Sequence, residues 1–111
     1  MTAICFSTCR PGEFRVWASS PRSTLVPAHT AFLSEETAAA VRAEHGPADL
    51  VVANNVYAHI PDLRGFTKAL RGLMSDDGWL SIEVHYALNL VTLGQFDTIY
   101  HEHFQYYTVL S

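Results

Sequence analysis

Positive charge is missing from the C-terminal part of this chain. All seven Lys and Arg lie between Arg10 and Arg71, while Asp76, Asp77, Glu83, Asp97 and Glu102 stand beyond Gly72. The net charge of −4 at pH 7 offers no basic footprint for nucleic acid. Cations for a phosphate-bearing ligand would have to come from elsewhere. Cysteine is scarce: Cys5 and Cys9 form a single C-x3-C pair, and no second pair exists to close a tetrahedral zinc site. The pair reads as two free thiols in a reducing cytoplasm. No apolar run reaches the length of a membrane span. Residues 1–14 carry Arg10 only after their apolar part, which makes a poor signal peptide. Charged residues make up only 16% of the chain and hydrophobic ones 49%, a globular composition. At 111 residues the chain fills one small domain, whose buried fraction is modest.

Residues 1–25 show neither helical nor strand periodicity and are expected to be poorly structured. From Val26 the pattern is orderly. Residues 30–33 suit a short strand. Ser34 is a good N-cap, Glu35 and Glu36 favour the positive end of a helix, and Gly46-Pro47 ends it. The run ADLVVA up to Ala53 suits a strand buried on both faces of a parallel sheet, and Asn54-Asn55 marks its end. Leu63, Phe66, Leu70, Leu73 and Met74 then fall on one helical face. Asp76-Asp77-Gly78 reads as a turn. Residues 79–85, WLSIEVH, alternate as a strand, and residues 87–93 suit a further helix.

Strand, helix, strand, helix, strand, helix is the order of an open parallel sheet with helical crossovers. Ligands of such sheets bind at the carboxyl ends of the strands. Asn54, Asn55 and His59 follow one strand end, and His85 and Tyr86 follow the next. Residues 100–103 would complete the site by folding back onto that rim. Read without relatives, Tyr100-His101-Glu102-His103 is an ordinary polar surface segment. Asn54 could serve as a strand stop as readily as a ligand contact, and Glu83 reads as a plain polar position.

Three segments carry a resemblance. ADLVVANNVYAHIPDLRGFTKALRGLMSDDGWLSIEV resembles the fourth strand, following helix and fifth strand of class I S-adenosylmethionine-dependent methyltransferases. FDTIYHEHFQYYTVLS closely resembles the signature of the sugar C-methyltransferases that act on nucleotide-linked keto-deoxysugars, and VPAHTAFLSEETAAAVRAEHG resembles the stretch before them. The resemblance spans residues 26–111. It implies a partial, incomplete Rossmann-like α/β fold, a three-layer sandwich with parallel strands. Residues 26–111 would be the C-terminal half of a methyltransferase core, and residues 1–25 an unmatched, disordered segment.

The resemblance also implies a site. His103 is the base that removes a proton from the carbon next to the sugar ketone, with Glu102 and Tyr100 beside it. Asn55 and His59 are placed at the same site, and Asn54 and His85 join them as substrate or cofactor contacts. Histidine suits this task because its pKa lies near neutrality. Glu102 would orient the imidazole, and His59 or Tyr100 would stabilise the enolate oxygen. The methyl group comes from S-adenosylmethionine. No metal is assigned, because the ketone already acidifies the carbon. The partner is a small nucleotide-sugar, with no nucleic acid and no membrane, in the cytoplasm.

The family's glycine-rich loop, the acidic residue ending its second strand and its N-terminal zinc domain are absent from the sequence. The expectation is therefore a truncated product, with residues 1–25 from an unrelated start or shifted frame. Alone it would be inactive, prone to self-association or in need of a complementing chain. The competing readings are a non-catalytic α/β binding module or pseudo-enzyme remnant, and a histidine-based metal protein.

Overall fold

A computed structural model describes residues 3–10, 13–19 and 29–111. The strands are β1 (Ala3–Arg10), β2 (Glu13–Ser19), β3 (His29–Ala31), β4 (Ala48–Asn54) and β5 (Met74–Glu83). The helices are α1 (Glu35–His45), α2 (Leu63–Leu73) and α3 (Ala87–Thr92). The five strands form one sheet in the order β3-β2-β1-β4-β5. Strands β1, β4 and β5 run parallel, whereas β2 pairs antiparallel with both β1 and β3. Three parallel strands with helical crossovers make the incomplete Rossmann-like α/β arrangement that the sequence implied.

Local chemistry explains each crossover. Ser34 Oγ accepts from the Thr37 N–H, and Thr37 Oγ1 accepts from the Ser34 N–H at 2.7 Å, a reciprocal cap that starts α1. Gly46, at φ +82°, ends α1 and donates to the Arg42 carbonyl. Asp62 caps α2 by accepting from the Gly65 N–H at 3.1 Å. Phe66, Ala69, Leu70 and Leu73 of α2 are buried, as their spacing requires. They share a core with Ala38 and Val41 of α1, Val51 and Ala53 of β4, and Ile4 of β1.

Both helices thus cover one face of the sheet. The alternate residues of the other face, Leu50 and Val52, are only partly buried, and Cys5 and Trp79 are exposed. The described part accordingly has one of the two helical layers of the expected sandwich.

Three local expectations are corrected. Residues 3–10 and 13–19, read as poorly structured, are strands. Ile4 is fully buried against Val51, so β1 is specified by a partner remote in sequence, which periodicity cannot register. β1 also takes the parallel place assigned to residues 30–33, while β3 pairs with β2 at the far edge. Asp76-Asp77-Gly78 does not break the chain into a turn but forms a bulge inside β5, where pairing jumps from Ala48 with Met74 to Leu50 with Trp79. A side chain at Gly78 would stand 2.8 Å from the Ala48 carbonyl, so that bulge requires glycine. Residues 1–2, 11–12 and 20–28 lie outside the described residues, and so does the part of the expectation for residues 1–25 that falls on them.

Candidate functional site

The site is built where β4 and β5 end. Asn54 closes β4 and lies in register with Glu83, the last residue of β5. Asn55 follows in a left-handed backbone, φ +54°. The chain then makes a 3-10 turn, Tyr57–His59, whose Tyr57 and Ala58 are buried. Tyr57 sits edge-on to Phe66 with ring centres 5.4 Å apart, which ties the turn to the core. His59, next in line, is held half-buried at the rim.

A C-terminal strap crosses this rim. The Phe104 N–H donates to the Ala58 carbonyl at 2.7 Å, and Gln105 Nε2 donates to the Ile60 carbonyl. The Tyr107 hydroxyl donates to the Tyr57 carbonyl at 3.1 Å and lies 2.6 Å from Gln105 Oε1. On the other side, the Ala87 N–H donates to the Tyr107 carbonyl, and Tyr86 pairs with Tyr107 as an isolated bridge. The strap therefore joins the turn after β4 to the start of α3 after β5. Residues 100–103 do fold back onto the strand ends.

His103 occupies the middle of this arrangement. Its ring centre lies 4.7 Å from His59, 5.2 Å from Tyr100 and 5.5 Å from both His85 and Tyr106. Burial pushes its pKa below the usual histidine value, the neighbouring His59 and His85 push the same way, and Glu102 opposes them. Its Nδ1 is buried with no hydrogen-bond partner. A neutral imidazole is the protonation state that a base needs. Burial also raises the pKa of Tyr57 and of Tyr107, which remain hydroxyl groups over the physiological range.

Four of the residues named from sequence are thus brought together: His59, His85, Tyr100 and His103. Glu102 is at the tip of a turn closed by the His103 N–H donating to the Tyr100 carbonyl, and is exposed. It acts on His103 through charge and makes no hydrogen bond to it. His101 shares that exposed tip. Asn54 is exposed, and Asn55 is tied to Glu83 through its side chain. Sequence reasoning missed Tyr106, Gln105 and Tyr107, which lie in an aromatic run without a clear period. It also read Glu83 as an ordinary polar position.

Beside His59 lies a cleft of about 510 Å³, between the starts of α1 and α2. Phe32, Leu33, Ile60 and Phe66 give it an apolar wall, and Glu35, Glu36 and Asp62 an acidic one. Glu35 is paired there with Lys68 at 3.2 Å, and Asp62 caps α2. Among the described residues no cluster of three or more His, Cys, Asp or Glu is arranged to hold a metal. No helix among them is long and apolar enough to cross a membrane.

Comparison with known proteins gives the family of the chain. A family profile described as a methyltransferase domain matches residues 3–111, which takes in β1 and β2 as well as the rim. The C-methyltransferase NovU of Streptomyces niveus is 39% identical over 88 residues, 79% of this chain. The chain spans about a fifth of that relative's length, the matched stretch being 20% of it.

Proposed function

The chain belongs to the methyltransferase domain family, and from that premise we propose that it carries the proton-abstraction half of an S-adenosylmethionine-dependent C-methyltransferase site. The observation that carries the reading is His103, its pKa lowered and its ring set among His59, His85 and Tyr100 at the strand ends. Residues 26–111 are then the second half of the catalytic core, and the substrate is a nucleotide-linked keto-deoxysugar. The relative's printed name, a C-methyltransferase, supports carbon as the acceptor.

His103 takes the proton from the carbon next to the ketone. The electron pair moves onto the ketone oxygen, where a donor from Tyr100 or His59 stabilises the enolate. Glu102 favours the imidazolium that results, because its carboxylate raises the pKa of His103. When bound, S-adenosylmethionine supplies an electrophilic methyl group. The residues present fit part of it: the cleft beside His59 has an apolar wall for the adenine and carboxylates near it for the sulfonium, while Asn54, Asn55 and His85 stand at the strand ends outside that lining. The sequence holds no glycine-rich loop for the rest.

The test is a calorimetric titration of the purified chain with S-adenosylhomocysteine, followed by a methyl-transfer assay on a nucleotide-linked keto-deoxysugar. Saturable binding, with turnover abolished by His103→Ala, supports the reading. Binding with turnover untouched by His103→Ala removes His103 as the base. A cooperatively melting monomer that ignores the ligand points to a non-catalytic module.

A further inference from the structure

Glu83 has no part in the proton transfer, yet two groups of Asn55 converge on it. The Asn55 backbone N–H donates to the Glu83 carbonyl at 2.9 Å. Asn55 Nδ2 donates to Glu83 Oε1, also at 2.9 Å. Asn55 is the non-glycine residue with positive φ among the described residues, at +54°. Asparagine enters this region more readily than most residues, but it still needs support from its surroundings. The double contact from the neighbouring strand end gives that support.

The contact also fixes which way the amide faces. A carboxylate only accepts hydrogen bonds, so the amide nitrogen must lie toward Glu83. Asn55 Oδ1 is then the group left over, and among the described residues it accepts no hydrogen bond. An acceptor is thus presented at the carboxyl edge of the sheet, where ligands of open α/β sheets bind.

We propose that Glu83 is a positioning residue: it locks Asn55 in its left-handed conformation so that Oδ1 accepts a hydrogen bond from a hydroxyl or ammonium group of the cofactor. The role of Oδ1 rests on the methyl-transfer reading above; the Glu83 lock does not.

Two measurements on the full chain test the proposal separately. The first follows the Asn55 side-chain amide by nuclear magnetic resonance across the range in which Glu83 ionises. A shift that tracks Glu83 and vanishes in Glu83→Gln supports the lock; an amide indifferent to Glu83 overturns it. The second is calorimetry with S-adenosylhomocysteine. Glu83→Ala is expected to weaken binding about tenfold, the scale of one hydrogen bond to a charged group. Glu83→Gln still offers an acceptor at Oε1 and keeps affinity within about threefold. Unchanged binding by Glu83→Ala overturns the role of Oδ1, as does a loss in both variants that follows a loss of cooperative melting. If 5′-methylthioadenosine, which keeps the ribose hydroxyls but lacks the ammonium, shows the same tenfold sensitivity, the donor is a hydroxyl; if it is insensitive, the donor is the ammonium. A wild-type chain that binds neither ligand overturns the methyl-transfer reading and the Oδ1 role together, and the amide signature still decides the lock.

Discussion

The β4-α2-β5 unit and the C-terminal strap are neighbours built on different principles. The unit is held by burial: Val51, Ala53, Leu70 and Leu73 are each fully inaccessible. The strap is held by a few directed bonds and remains largely wet, with Phe96, Phe104, Val109 and Leu110 all more than 60% exposed. Non-directional burial over many atoms makes a rigid base, and sparse hydrogen bonding sets a few side chains over it. The difference teaches where chemistry can be placed. His103 lies in the strap, and the two histidines beside it are carried by the strand ends of the unit.

The sharpest way to break this comparison is to change one residue on each side. His103→Gln is expected to lower methyl transfer by about 10²- to 10⁴-fold, the range of a lost general base, with the thermal melt unchanged. Assay and melt on the same sample check it; a collapsed melt would make His103 a structural residue. Leu70→Ala is expected to do the reverse. It should cost about 2–5 kcal/mol, a large fraction of a small domain's stability, measured by denaturant unfolding. A loss under 1 kcal/mol would mean that α2 is not seated as described.

Smaller changes refine the picture. Tyr107→Phe removes the donor to the Tyr57 carbonyl. A loss of about 1 kcal/mol is expected, with faster amide exchange in the strap and little change in β4. Equal acceleration in both would show that strap and unit open together.

The pH dependence is the subtlest effect. His103 titrates below its ordinary value of 6.5 when folded. Above that value both folded and unfolded chains hold it neutral. As pH falls through it, the unfolded chain takes up the proton first, so stability declines between the ordinary and the lowered pKa. With His103 as the proposed base, turnover should fall over the lower part of the same interval as its imidazole is protonated. His103→Gln should flatten this part of the stability profile. An unaltered profile would assign the decline to other groups.

Much of the helical layer was legible because its signals are local. Ser34 and Gly46 act within one turn of chain, and the Phe66, Leu70 and Leu73 stripe follows helical period. The strap was legible only in part. Its likeness to a known signature placed His103, Tyr100 and Glu102, but not the bonds of Gln105 and Tyr107, which reach back about 45–50 residues to the turn after β4. The hydrogen bond of Glu83 was not legible because its partner, Asn55, lies 28 positions away.

The sequence alone determined the elements whose cause is near in the chain: caps, helix faces, the buried run of β4 and the histidine-bearing signature. Tertiary structure alone decided which segments pair and which side chains meet. It drew β1 into the parallel sheet, turned Asp76-Asp77-Gly78 into a bulge, and set His59, His85 and His103 around one point while leaving Glu102 at an exposed tip. The physical reason is that a cap or a helical stripe is fixed by neighbours a few residues apart. Strand order and site geometry instead depend on groups brought together only when the whole sheet closes its hydrogen bonds and its core.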